Sequence, residues 1–230
     1  MNTFPTLVKS SAKCLALLVV LVFAHGMARA DEITVQGFTN GCFGAGCIPP
    51  QTSAQQTAPL LGLTYNNSIF MGTTAGGFLA IGDMPRPPGT QNTNNLGSFT
   101  LEPTPAAYTG QMFTLRVTFT LPAGINGSNT STFSAVLTGT VMADHTGGVF
   151  VDFNNAPIVF TFSNAQATGS FSFNVNDVSV IAGGIVPVTG NITGAQQTPR
   201  MVPEPASLLL FGSGLLGVGA GLRHRRRRSQ

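Results

Sequence analysis

Between residues 111 and 121, apolar and polar side chains alternate without a break. Phe113, Leu115, Val117, Phe119 and Leu121 fall on one side, and Thr114, Arg116, Thr118 and Thr120 on the other. A period of two places each set on one face of a strand, so the stretch predicts a half-buried strand with a polar outer face. The pattern recurs at Phe133/Ala135/Leu137, Val149/Val151/Phe153, Ile158/Phe160/Phe162 and Phe171/Phe173/Val175. Val178 and Val180 come next, across an expected kink at Asn176-Asp177. Ile33–Phe38, Leu60–Tyr65, Ser68–Gly72, Gly77–Ile81 and Leu96–Glu102 read as shorter strands, and Ile185–Ile192 as the last one. Pro49–Pro59 and Gly82–Asn95, rich in turn formers, read as loops, the second long and exposed. Thr193–Met201 reads as a link to the C-terminal segment.

About ten strands at roughly ten-residue spacing, with no helical period among them, predict an all-β fold. The expected architecture is an antiparallel β-sandwich or jelly roll over residues 31–198, its aromatic positions supplying two inner faces.

Two uninterrupted apolar runs flank this region. At the N-terminus, Lys9 and Lys13 precede Leu15–Ala24, and Ala28-Arg29-Ala30 lies just beyond. A cationic segment, a short apolar core and an A-x-A site form a signal peptide over residues 1–30, with an N-terminal signal helix. Signal peptidase is the implied partner, with Ala28 and Ala30 at the cleavage site and Asp31 as the first mature residue. Cys14 precedes the apolar core, where a lipidated cysteine would follow it.

At the C-terminus, Ser207–Leu222 carries no charge. Its helical length of about 24 Å approaches a bilayer core of about 30 Å, so it predicts one transmembrane helix. Pro203 and Pro205 stand just before it, where proline is tolerated at a helix start. Arg223, Arg225, Arg226, Arg227 and Arg228 stand after it; by the positive-inside rule they stay cytoplasmic and leave the rest of the chain outside. The expected divisions are therefore a linker at 199–206, the membrane helix at 207–222 and an arginine-rich tail at 223–230.

Charge changes its meaning once these segments are set apart. Eight of the 11 basic residues lie in the two flanking signals, and between Asp31 and Val202 only Arg86, Arg116 and Arg200 remain. Against seven carboxylates there, the mature region carries 3 − 7 = −4. The basic whole-chain balance is a topology signal, and no nucleic-acid partner is expected. With no lysine or tryptophan, the mature region depends on hydroxyls and amides for solubility. Cys42 and Cys47, its only cysteines, close a short glycine-bearing loop in an exported chain, which suggests a disulfide.

Val202-Pro203-Glu204-Pro205, the glycine-rich apolar run and the terminal arginines together resemble the PEP-CTERM sorting signal of Gram-negative bacteria. The resemblance covers residues 202–228. It implies that Pro203, Glu204 and Pro205 are read by exosortase, a membrane cysteine transpeptidase that cleaves near the motif. It further implies a mature product at the cell surface or in the exopolysaccharide matrix.

Candidate chemistry within the mature region is sparse. His145, beside Asp144, could serve as a hydrolytic base, but no Gly-x-Ser-x-Gly elbow accompanies it, and a surface turn explains the pair. Glu102, Asp144, Asp152 and Asp177 are the carboxylates a glycosidase would draw on. Asp152 with Asn154, and Asn174, Asn176 and Asp177, offer oxygen ligands of the kind calcium takes, without a calcium-loop motif; turn-building asparagines at strand ends are the plainer account. No metal or cofactor is expected. Three functions are compatible with this pattern: a non-enzymatic surface or matrix protein, an exopolysaccharide-binding module, and a secreted hydrolase. The first is the primary expectation.

Overall fold

The computed structural model describes residues 32–52, 57–87 and 90–200. The expected signal helix with Ala28 and Ala30, the Pro203-Glu204-Pro205 tag, the transmembrane helix and the arginines at 223–228 lie outside the described residues. Among the described residues there is no helix, and none long and apolar enough to cross a membrane.

The described chain is all-β. In order its strands are β1 (Thr34–Phe43), β2 (Leu63–Asn66), β3 (Ser68–Thr73), β4 (Leu79–Ile81), β5 (Asn92–Thr93), β6 (Ser98–Leu101), β7 (Ala106–Ala107), β8 (Gln111–Leu121), β9 (Thr130–Val141), β10 (Gly147–Phe153), β11 (Ile158–Ser163), β12 (Ala167–Val175), β13 (Val178–Ile181), β14 (Ile185–Pro187) and β15 (Gly190–Pro199). They form three sheets. The largest runs β13-β10-β9-β8-β1-β3-β5, with β7 paired to β9; the second runs β11-β12-β15-β4; the third runs β14-β6-β2. Among these strands every pairing is antiparallel except β3 with β5.

The core follows from the alternation. Phe113, Leu115, Val117 and Phe119 of β8 are all buried, while their polar neighbours on the strand point away. Phe119 meets the second sheet through Phe160, Phe171 and Phe173, with ring centroids 4.8, 5.2 and 5.3 Å apart. Phe113 meets the third through Phe99 and Tyr65, at 4.9 and 5.0 Å. Tilted and edge-to-face contacts of this kind add about 0.5–1.5 kcal/mol per pair beyond area burial. Gly41 on β1 lies against Phe113, whose ring stands 2.3 Å from where a Cβ would be. Aromatic bulk on β8 thus requires a glycine on its neighbour.

Three expectations need correction. Residues 82–95 are an exposed loop only in their first part: the described residues from 82 to 91 are mostly exposed, whereas Asn92 and Thr93 form β5 and Asn92 and Asn95 are fully buried. Asn92 donates to Ser98 Oγ at 2.9 Å and accepts from the Arg86 amide at 2.8 Å, so its burial leaves its amide paired. The expected strand at 185–192 is two strands in different sheets, β14 against β6 and β15 against β12, and β15 continues to Pro199 through most of the expected link. The kink at Asn176-Asp177 is likewise a crossing between sheets, with β12 in the second and β13 in the first. The additional short strands account for fifteen where about ten were expected.

Candidate functional site

The two ends of the folded region meet. Gln197 Nε2, near the end of β15, donates to the Glu32 carbonyl at 2.5 Å. The Glu32 carboxylate accepts from the Thr74 hydroxyl at 2.9 Å and from the Gly76 amide at 3.0 Å. Thr74 in turn accepts from the Ile33 amide at 2.9 Å. The first described residues are therefore fastened to the turn after β3 and to the last strand. The contact pattern divides the chain after Pro199, three residues before Val202.

A second feature is the loop after β1. Cys42 and Cys47 are disulfide-bonded, with Cα atoms 6.1 Å apart. Beyond the bond, Pro49 accepts from Arg116 Nη1 at 2.8 Å and Thr52 accepts from Asn40 Nδ2 at 2.8 Å. Asn40 and Arg116 are directly opposed in the β1–β8 register, on the outer face of the largest sheet, and this segment covers them. Asn40 Oδ1 and Arg116 Nε are both buried without a partner among the described residues. Beside them, Phe43, Ile48, Pro50, Pro59 and Leu60 wall an open cleft of about 370 Å³. Among the described lining residues the one side-chain hydroxyl, on Thr57, donates to the Gly41 carbonyl at 2.8 Å. The described lining of the cleft holds no titratable group and no free nucleophile.

The candidate catalytic residues serve the fold. His145 sits at a positive φ of 65° in the turn between β9 and β10, and its Nδ1 donates to the Pro103 carbonyl at 2.5 Å. Asp144 accepts from the Thr146 hydroxyl at 2.7 Å and amide at 3.1 Å. Those bonds, the hydroxyl's first, hold the Asp144 carboxyl below its ordinary range. The carboxylate thus caps its own turn, and the imidazole is held by the Pro103 carbonyl. Glu102 follows β6, where its amide donates to the Gly62 carbonyl at 3.0 Å and its charge adds to the burial that raises the Tyr108 phenol.

Of the calcium candidates, Asp177 accepts from the Phe153 amide at 2.9 Å and so braces the residue after Asp152. Asn174 and Asn191 both donate to Asn176 Oδ1 at 3.3 Å, and Asn176 donates to Thr189 Oγ1 at 2.9 Å. Asn154 accepts from the Ala156 amide at 3.2 Å. Among the described residues no group of three or more His, Cys, Asp or Glu is gathered as metal ligands would be.

The tail supplies the functional assignment. Residues 202–227 match the PEP-CTERM protein-sorting motif. No curated protein and no solved structure matches the chain. The motif marks an exported, surface-directed protein sorted by exosortase. Pro203, Glu204 and Pro205 are then a substrate sequence, and the chemistry done on them belongs to the sorting enzyme. The PEP-CTERM motif begins where β15 has just ended, with only Arg200 and Met201 between the sheet and the recognition sequence.

A buried polar network went unseen in the sequence. Tyr65 donates to the Leu96 carbonyl at 2.6 Å and lies 2.8 Å from Thr39 Oγ1, which accepts from the Ser68 amide at 3.1 Å. Since one phenol has one proton, the Thr39 hydroxyl donates back to Tyr65. Both tyrosines of the chain are fully buried.

Proposed function

We propose that this is a non-enzymatic surface or matrix protein: a β-sandwich cargo exported through a cleaved signal peptide, held by a C-terminal membrane helix, and released by exosortase near Pro203-Glu204-Pro205. The observation that carries the proposal is the sorting motif placed directly after the last strand of a charge-poor all-β region. The roles of the candidate catalytic residues support it. His145 holds a main-chain carbonyl, Asp144 caps a turn, and Asp177 braces a strand end. The packing of the largest sheet against the other two through Phe119 and Phe113 supports a sandwich. A sugar-binding module would present exposed aromatic rings, and the burial of Tyr65 and Tyr108 removes both tyrosines from that role.

The test replaces Pro203-Glu204-Pro205 with three alanines in the full chain. The expected result is a precursor retained in the membrane fraction at full length. Normal release of a shortened product would overturn the proposal.

A further inference from the structure

We propose that the end of β15, residues 196–199, is a latch whose opening sets how fast exosortase processes the chain. The inference rests on the reading of Pro203-Glu204-Pro205 as that enzyme's substrate sequence.

β15 has two parts of unequal strength. The first is paired on both sides. Gly190, Asn191 and Ile192 lie opposite Ile81, Ala80 and Leu79 of β4, and opposite Val175, Asn174 and Phe173 of β12. Ile192 is fully buried. The register with β12 then slips. Thr193 is opposite Ser172 and Gln196 is opposite Ser170, so Gly194 and Ala195 together face Phe171. Two residues against one make a β-bulge, and Gly194 takes a φ of 58° there. Past the bulge, Gln196, Gln197, Thr198 and Pro199 pair with Ser170, Gly169, Thr168 and Ala167 of β12, and β4 no longer flanks them. Gln196, Thr198 and Pro199 are exposed and Gln197 is half-buried. A strand end with one neighbour, beyond a break in the ladder and with no buried apolar side chain, opens locally at small cost while the core stays closed. Gln197 ties this end to the other end of the folded region. Its Nε2 donates to the Glu32 carbonyl at 2.5 Å, and the Glu32 carboxylate is itself held by Thr74 and Gly76.

The consequence lies downstream. Only Arg200 and Met201 separate Pro199 from Val202, where the sorting motif begins. Enzymes that cut a main chain act on segments released from pairing. When release is fast and reversible, the cutting rate follows the population of the opened form. With β15 closed, sheet pairing runs almost to the motif. Opening at the Gly194 bulge lengthens the chain offered to the enzyme by residues 196–199. The Gln197–Glu32 bond opposes that opening and so slows processing.

The test follows the full chain in cells that carry the sorting enzyme, by pulse-chase of the shortened product. Gln197→Ala removes one net hydrogen bond, and processing is expected to quicken about five-fold. Hydrogen exchange in the same variant should quicken at 196–199 and stay unchanged along the β8–β9 ladder. A flexible Gly-Ser spacer inserted between Met201 and Val202 is expected to quicken processing as well, and to remove the effect of Gln197→Ala. Equal rates in the parent, the Gln197→Ala chain and the spacer chain would overturn the latch and leave the proposed function standing. A parent chain that is never shortened would overturn both.

Discussion

Gln197 and Glu32 are separated by 165 residues and joined by one hydrogen bond of 2.5 Å. The bond closes the folded region on itself, five residues before the sorting motif begins in the sequence. The Glu32 carboxylate extends the closure to Thr74 and Gly76. Glu32→Ala removes two accepted hydrogen bonds, at about 1 kcal/mol each. Hydrogen exchange is expected to show faster opening at Ile33 and Thr74, with the β8–β9 ladder unchanged. Equal protection at Ile33 in the variant would mean that Glu32 contributes nothing to the closure.

Burial pushes the Tyr65 phenol well above its ordinary range, against the opposing bond from Thr39. Tyr108 is raised too, first by burial and then by the charge of Glu102. The native state therefore keeps two phenolic protons that the unfolded chain releases at about pH 10. Their contribution is complete below that pH and is lost as pH rises towards the native values. Stability should fall steeply above about pH 10, and tyrosinate absorbance should appear with unfolding and not before it. With two tyrosines and no tryptophan, the optical titration reads these groups alone. Tyr65→Phe should lose about 1–3 kcal/mol at neutral pH, because the Leu96 carbonyl is left without its donor, and should flatten part of the alkaline slope.

The disulfide closes a loop of only a few residues, so Cys42→Ser with Cys47→Ser should cost about 2 kcal/mol on loop-closure entropy. The effect should be local. Exchange should quicken in the segment that covers Asn40 and Arg116, while the Phe119 side of the core stays protected. A melting temperature unchanged under reducing conditions would contradict this.

Gly97 has a φ of +106°, and a Cβ there would stand 2.4 Å from the Tyr65 hydroxyl. Gly97→Ala combines backbone strain with displacement of a fully buried ring, and a loss of about 3 kcal/mol or more is expected. Gly110→Ala, at a φ of +85° in open space, isolates the strain part and should cost about 1 kcal/mol. Equal losses in the two variants, measured by denaturant unfolding, would show that the Tyr65 contact adds nothing.

How far the sequence could be read depended on what fixed each element. β8 was plain because its four core side chains alternate over a long run, and burial alone dictates that pattern. β5 was not, because a two-residue strand carries no period and exists through its pairing with β3. Asn92 and Asn95 read as solvated turn residues, since an asparagine that builds a buried turn has the same letter as one that faces water. The crossing at Asn176-Asp177 showed only as a kink, and the one at Val188-Thr189 left no mark, because apolar residues continue while the chain changes sheets. The sorting tag was legible for a different reason. It is read as a sequence by another protein, so its residues appear in order and contiguously, with no fold needed to assemble them.

The most direct test is mass spectrometry of both termini of the protein recovered from the cell surface. The account predicts a chain that begins at Asp31 and ends near Pro203-Glu204-Pro205, with the arginines at 223–228 gone. Surface material that still carries those arginines, or that begins at Met1, would contradict it.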